Sequence, residues 1–258
     1  MWYNNMLKFD IPYNFDTDLI SLFSKDNVNN VNCFFFPPPA KNYESVCRTR
    51  NQYMKNFMDM KEFVKHVEII NSFKENGSKL LLQRPDILVS KDDIKMYIDS
   101  GIKRFCVGSI NQAISIKDID SSLEVTASIL MQADDCFLRA HSIIRDCIDI
   151  IVLPFFYCNN LDGVKYIAEE FPNFKYTLLC NSQCGRNCKG LLHWLLPYDY
   201  SGNTNILCPD DRFSNNTLMD PCILGNYSKY IDSFKLIDRS MPSKDIYYQF
   251  MLYARKII

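Results

Sequence analysis

The sequence predicts a single α/β domain over residues 1–258, folded as a (β/α)8 TIM-like barrel with some irregularity and a cysteine-rich loop after the seventh strand. Short apolar runs typical of strands alternate about eight times with amphipathic stretches typical of helices, which implies parallel strands joined by right-handed crossovers. The alternative is an open doubly wound sheet. That fold normally has a glycine-rich loop after its first strand, where this chain has Pro12-Tyr13-Asn14-Phe15.

The strand predictions rest on short segments rich in aliphatic, aromatic and β-branched residues. The clearest is Ile148–Leu153, because a nearly continuous apolar run is typical of a strand buried on both faces of a parallel sheet. The other predicted strands are Leu7–Ile11, Val28–Phe36, Lys79–Gln83, Ile102–Val107, Leu123–Ser128, Lys175–Leu179 and Phe234–Ile237.

The helix predictions rest on apolar residues at helical spacing and on capping residues. We expect Asp16 to cap a helix that runs through Phe23. Ser90 and Asp93 resemble a capping box, and Gly101 is expected to end the helix that follows. The other predicted helices are Lys61–Phe73, Asn111–Ile119, Asp134–Arg145, Leu161–Phe171 and Ser243–Ile258.

The composition is that of an ordinary globular protein, with 47% hydrophobic and 23% charged residues. A formal net charge of −1 argues against an extended nucleic-acid surface. The N-terminus lacks the basic and apolar regions of a secretory signal, and no apolar run is long enough to span a bilayer. We therefore expect a cytoplasmic protein without a membrane partner, in a compartment that keeps thiols reduced.

Cysteines are concentrated in one part of the chain. Five of the eleven lie in a single stretch, at Cys180, Cys184, Cys188, Cys208 and Cys222. Clustered thiols in a reducing compartment indicate metal binding, since disulfides need an oxidising one. A [4Fe-4S] cluster is the leading expectation, because paired Cys-x-x-Cys knuckles typical of zinc sites are missing; zinc and no metal are the alternatives. Three cysteines in apolar stretches are expected to be inert core residues: Cys106, Cys136 and Cys147.

Functional residues of a barrel collect at the carboxyl ends of its strands, and the cysteine stretch begins where the seventh predicted strand ends. The polar candidates for catalysis or for binding an anionic group near these ends are His193, Arg239, Lys235 and Arg84. His193 is also a candidate metal ligand or a packed core residue. Lys235 and Arg239 could instead lie on a solvated face of the protein or form a structural ion pair with Asp232 or Asp238. Cys33 or Cys47 could replace one of the metal ligands.

Common enzyme motifs are missing from the sequence, including His-Glu-x-x-His, the Walker loop and Gly-x-Ser-x-Gly. With three histidines, the chain offers few candidates for the histidine of a serine or cysteine triad. The radical S-adenosylmethionine motif Cys-x-x-x-Cys-x-x-Cys is one residue shorter than the spacing of Cys180, Cys184 and Cys188. The catalytic residues are therefore left unassigned.

The segment Asn181-x-x-Cys184-x-x-x-Cys188, followed by His193, resembles the collagenase-like peptidase family (peptidase family U-32) and its iron–sulfur relatives in oxygen-independent hydroxylation. Phe234-Lys235-Leu236-Ile237-Asp238-Arg239 resembles the closing Phe-Lys-Ile-x-Gly-Arg strand of that family, and the segment that begins at Ile11 resembles its opening strand. The chain departs from the family at Lys189, where proline is usual, and at Asp238, where glycine is usual.

The resemblance implies a barrel with a [4Fe-4S] cluster on Cys184, Cys188, Cys208 and Cys222, with Cys180 in reserve. It also implies a modification reaction such as oxygen-independent hydroxylation, carried out alone or with a protein or redox partner on a small or peptide substrate. The alternatives are a peptidase acting on peptide substrates and a non-catalytic, metal-stabilised subunit of a complex.

Overall fold

The computed structural model describes residues 7–23, 29–39, 59–83, 89–181, 218–237 and 241–255. Eight parallel strands follow one another around a closed barrel, and the last strand pairs with the first. The strands are β1 Phe9–Pro12, β2 Val31–Phe36, β3 Ser78–Leu82, β4 Arg104–Val107, β5 Glu124–Ala127, β6 Ile150–Val152, β7 Lys175–Leu179 and β8 Ser233–Lys235. The predicted (β/α)8 barrel is confirmed.

Helices connect the strands around the outside of the barrel. The α-helices are α1 Thr17–Leu22, α2 Met60–Phe73, α3 Lys91–Asp99, α4 Ile110–Ile119, α5 Asp135–Ala140, α6 Ile144–Cys147, α7 Leu161–Glu170 and α8 Ser243–Ala254. Short 3-10 helices form at Ile129–Met131, Phe155–Tyr157 and Pro221–Tyr227. In the described part of the chain, no helix combines the length and the apolar character needed to cross a bilayer.

The predicted caps form as expected. The carboxylate of Asp16 accepts a hydrogen bond from the Asp18 amide at the start of α1. Ser90 and Asp93 make a reciprocal capping box at the start of α3. Gly101 lies just past the end of α3 with a φ of 94°, the left-handed region that glycine adopts without a steric penalty.

The predicted helix Asp134–Arg145 is wrong, because two short helices replace it. The helical backbone stops at His141, whose φ and ψ are −122° and 79°, and resumes at Ile144. This turn lets both Leu138 and Ile144 reach the core, so tertiary packing overrides the single helical repeat. Cys136, expected in the core, lies exposed on α5, whereas Cys106 and Cys147 are buried as predicted.

Side chains of the strands alternate between two environments, as the pleat of a strand requires. On β2, Phe34 and Phe36 pack outward in the large core shared with the helices, whereas Phe35 faces the barrel interior. Phe35, Leu81 and Cys106 form a separate small apolar cluster inside the barrel. The interior is therefore a packed layer, and the open space lies above it at the carboxyl ends of the strands.

Candidate functional site at the barrel mouth

A pocket opens at the carboxyl ends of the strands. The cavity itself is only about 10 Å³, room for about one water molecule, although the space between its walls reaches about 300 Å³ when open solvent is included. Its described walls are Phe35, Gln83, Ile129, Val152, Leu179, Lys235 and Ile237, from six different strands or the residues just beyond them. This is the position where barrel enzymes carry their active sites.

Among the described lining residues, Lys235 is the one that carries a positive charge. It is the last residue of β8 and is only 5% exposed, with its ammonium 4.2 Å from the centroid of the Phe35 ring. An ammonium over an aromatic face is attracted by the ring quadrupole, more strongly when water is excluded. The alternative of a solvated face is therefore wrong for Lys235. Asp232, which the sequence suggests as an ion-pair partner of Lys235, accepts a hydrogen bond from the Tyr176 amide.

Gln83 supplies a polar group to the wall of the pocket. It follows β3, and its side-chain amide donates a hydrogen bond of 3.0 Å to the Ser128 hydroxyl, just beyond β5. The amide also lies 3.9 Å from the Cys106 sulfur. These contacts fix the side chain, so its carbonyl oxygen is held in a defined orientation at the pocket wall.

Beneath the apolar cluster, a network of charged side chains fills the amino-end half of the barrel. The Lys79 ammonium lies 3.2 Å from the Asp10 carboxylate and 3.6 Å from that of Glu124. Arg104 binds Glu124 at 2.6 Å and also donates to the backbone carbonyl of Asn32 at 2.9 Å. The Asn32 amide in turn donates to Asp10. Each buried charge is thus paired and hydrogen-bonded, as burial requires.

The network shifts the pKa values of its members strongly. Burial raises the pKa of Asp10, but the nearby cations Lys79 and Arg104 outweigh it and lower the pKa to about 2. Burial lowers the pKa of Lys79, but Asp10 together with Cys33 and Glu124 outweighs it and raises the pKa to about 12. Both groups are therefore charged near neutral pH. Burial, with the added repulsion of Asp10, raises the pKa of the Cys33 thiol to about 12.

Both ends of the segment that bears the cysteines are anchored beside the pocket. The Met219 amide donates a hydrogen bond of 2.9 Å to the Cys180 carbonyl, so residues 180 and 219 are adjacent although 39 positions apart in sequence. Asn181 accepts from the Ile237 amide at 2.9 Å and donates to Gln249 at 2.8 Å. The chain therefore leaves β7 and returns to the same point of the mouth.

The structure describes four of the residues that the sequence singles out as site candidates, and one of them, Cys33, is buried in β2. Lys235 lies in the pocket, Cys222 is exposed in the first turn of the 3-10 helix Pro221–Tyr227, and Cys180 is buried at the end of β7. The other candidates lie outside the described residues: Cys184, Cys188, Cys208, His193, Arg239, Arg84 and Cys47.

Two of the described cysteines are fully buried, and burial raises the pKa of their thiols. The Cys180 thiol is fully buried and donates to the Lys235 carbonyl at 3.6 Å, and burial raises its pKa well above the usual value. Cys33 lies inside the charged half of the barrel, with its pKa raised in the same way. The raised pKa favours the protonated thiol at both positions. The Cys222 thiol, in contrast, is exposed.

The donor set on the segment fits a cluster bound by four cysteines. Cys184, Cys188 and Cys208 lie between the two anchored ends, and Cys222 follows directly on the returning side. Three thiols between the anchored ends and a fourth just beyond them offer the four cysteine ligands that a [4Fe-4S] cluster usually takes. The segment between the anchored ends starts and ends at the mouth of the barrel.

Gln83 and the buried charge network were not predicted from the sequence. One signal for the network was present in the sequence, because Asp10, Lys79 and Arg104 interrupt otherwise apolar strand patterns. A charged residue inside a buried strand needs a partner of opposite charge. Which strand supplies the partner depends on the strand order and register, and neither is visible in the local pattern.

No protein family and no curated protein matches the chain. Among solved structures, orotidine 5'-monophosphate decarboxylase from Metallosphaera sedula is similar, with 9% identity, a TM-score of 0.46 and coverage of 98% of this chain and 100% of that one. The carboxyl transferase domain of Rhizobium etli pyruvate carboxylase is also similar, both with 3-hydroxypyruvate (10% identity, TM-score 0.45, 97% of this chain and 44% of that one) and with 3-bromopyruvate (10% identity, TM-score 0.47, 99% and 45%). These values carry no argument about function. The strand pairing itself establishes the barrel, and the site is characterised by its pocket and by its anchored cysteine segment.

Proposed function

We propose that the protein is an iron–sulfur barrel protein that takes part in the modification of a substrate at the carboxyl-end mouth, with oxygen-independent hydroxylation as the leading reaction type. The hydrogen bond between the Met219 amide and the Cys180 carbonyl is the observation that carries this proposal, because it brings both ends of the cysteine segment to the pocket. In this proposal the ligands of a [4Fe-4S] cluster are Cys184, Cys188, Cys208 and Cys222.

When bound, a cluster would supply one-electron transfer, with a protein redox partner as the source or acceptor of the electrons. The described residues have the other roles. Lys235 binds an anionic group of the substrate, and the Gln83 carbonyl oxygen orients a polar group of the substrate. Apolar side chains such as Val152 and Leu179 exclude water from the rest of the pocket, which strengthens the electrostatic interaction with Lys235.

Iron and sulfide analysis of anaerobically purified protein, together with its visible spectrum, tests this proposal. About four irons with matching sulfide are expected, and Cys184→Ala should lose them. Cys136→Ala is the matched control, since Cys136 is an exposed cysteine on α5 outside the segment, and it should keep the cluster. Protein that reconstitutes without broad visible absorption would contradict the proposal.

The same experiment separates the alternatives. One zinc per chain without sulfide would indicate a structural site, and the protein would then be a metal-stabilised binding subunit. Hydrolysis of labelled peptides that persists in Cys184→Ala would favour a peptidase.

A further inference from the structure

A groove runs along the outer face of α8. Its volume is about 430 Å³, and it is open to solvent. Its described lining comes from α8 and the residue that caps its end: Lys244, Tyr247, Tyr248, Met251, Leu252 and Arg255. Steps of three and four residues place side chains on one stripe of a helix. The opposite side of α8 supplies Ile246, Phe250 and Tyr253 to the core, so the groove lies on the side that faces away from the barrel.

The middle of this stripe is apolar and aromatic. Tyr247 and Met251 are half-buried and pack against the core, with the Tyr247 ring 5.1 Å from the Phe23 ring. Tyr248 and Leu252 are 64% and 41% exposed. The groove has the size of a small ligand pocket, roughly 300–1,000 Å³. Apolar side chains that enter it would remove apolar surface from water on both sides of the contact.

Both ends of the stripe are positive. Lys244 and Arg255 are exposed, and neither forms an ion pair within the part of the chain that the structure describes. They lie three helical turns apart, about 16 Å along the axis. None of the described lining residues is acidic. An occupant with a carboxylate at each end of an apolar face therefore complements the stripe in both charge and hydrophobicity.

The charges also distinguish between kinds of occupant. A second copy that presents the same stripe would bring the cations Lys244 and Arg255 close to those of the first, and like charges repel. A bilayer surface is flat and does not fill a groove. A helix with an apolar face inserts side chains into a groove and carries charges beside them.

We propose that this groove binds an acidic amphipathic helix of a partner protein, whose apolar side chains fill the groove and whose carboxylates pair with Lys244 and Arg255. The inference goes beyond the proposed function and does not depend on the cluster.

A charge series of synthetic peptides tests the proposal on the unmodified protein. Each peptide is an amphipathic helix of about 16 residues with leucines along one face. Two positions three turns apart are both glutamate, both glutamine or both lysine. Fluorescence anisotropy should show the glutamate peptide binding roughly tenfold more tightly than the lysine peptide, with the glutamine peptide between them. The difference should shrink in high salt, because the charges are exposed. Equal affinities across the series, or no binding of the glutamate peptide, would overturn the proposal.

Variants of α8 assign the binding to this groove. Lys244→Gln with Arg255→Gln removes both charges and should abolish the preference for glutamate over lysine. Lys65→Gln with Lys95→Gln is the matched control, because it removes two exposed lysines from α2 and α3, and it should keep the preference. Leu252→Ser should weaken the binding of all three peptides. A preference that survives in the folded Lys244 and Arg255 double variant would overturn the assignment. If that variant does not fold, the peptide series on the unmodified protein decides.

Two other occupants are outcomes of the test. Cosedimentation with vesicles of phosphatidylcholine and phosphatidylserine that is lost in Lys244→Gln with Arg255→Gln would assign the groove to a membrane surface and overturn the proposal. A dimer in analytical ultracentrifugation that Leu252→Ser dissociates would assign it to a second copy, with the same consequence. None of these measurements reads iron, so their failure is distinguishable from that of the cluster.

Discussion

Removing the Asp10 carboxylate tests whether the buried charge network stabilises the barrel. Asp10 and Lys79 are 1% and 0% exposed, and their charged atoms lie 3.2 Å apart. In Asp10→Ala the Lys79 ammonium stays buried, with Glu124 at 3.6 Å as its other described carboxylate partner. Breaking one side of a buried ion pair costs roughly 3–5 kcal/mol. Because Glu124 is retained, we expect a loss of about 3 kcal/mol in the free energy of unfolding, measured by urea denaturation.

Two further variants show whether this loss comes from the unpaired charge. Replacing both partners, as Asp10→Leu with Lys79→Met, leaves no buried charge at the pair and should cost less than the single change. The exposed pair Lys91–Asp118 is the control, since both side chains are more than half exposed, and Asp118→Ala should change stability by less than about 1 kcal/mol. An Asp10→Ala loss no larger than that of the control would refute the reasoning.

The low pKa of Asp10 predicts how the free energy of unfolding depends on pH. Burial raises the pKa of Asp10, but Lys79 and Arg104 outweigh it and lower the pKa from 3.8 to about 2 in the folded protein. A pKa that is lower in the folded than in the unfolded state adds stability above the unfolded pKa, and that stability is lost as the pH falls toward 2. The difference corresponds to roughly 2 kcal/mol. This part of the pH dependence should be missing in Asp10→Ala, as measured by unfolding between pH 2 and pH 5.

Three smaller changes test other parts of the structure. Ser90→Ala removes the cap of α3 and should cost about 1 kcal/mol, measured as a lower urea midpoint with an unchanged slope. Gly101→Ala forces a side chain into a φ of 94° and should cost roughly 1–2 kcal/mol in the same assay; no loss would contradict the left-handed conformation. Cys180→Ser should leave the iron content unchanged, because the buried thiol donates to the Lys235 carbonyl; iron loss would make Cys180 a ligand.

The sequence was sufficient to predict the barrel because each strand and each helix is specified by a local pattern of residues. All eight strands lie where alternating or continuous apolar runs predict them, and β7 has the predicted bounds, Lys175–Leu179. The helix starts follow from side chains that satisfy free backbone amides, as Ser90 and Asp93 do. The predicted helix over Asp134–Arg145 fails because its break is set by packing against the core and not by the local pattern.

The site could be predicted only in part, because it depends on contacts between distant residues. Lys235 was identified from its position near the end of the last strand, but its burial against Phe35 depends on packing across the barrel. The pairing of Asp10 with Lys79 joins residues 69 positions apart. Position in the chain was informative for the cysteine segment, since the strand that precedes it ends at the mouth. The hydrogen bond between Met219 and Cys180 is a tertiary contact, and the local sequence pattern does not reveal it.

Iron content of two matched variants tests the central claim, that the segment anchored at the mouth holds an iron–sulfur cluster. Cys222 and Cys136 are both exposed cysteines near the start of a helix, but only Cys222 follows the returning end of the segment. Iron and sulfide are counted in anaerobically purified Cys222→Ser and Cys136→Ser. The account predicts about four irons in Cys136→Ser and a clear loss of iron in Cys222→Ser. Equal iron in the two variants, or none in either variant and in the unmodified protein, would contradict it.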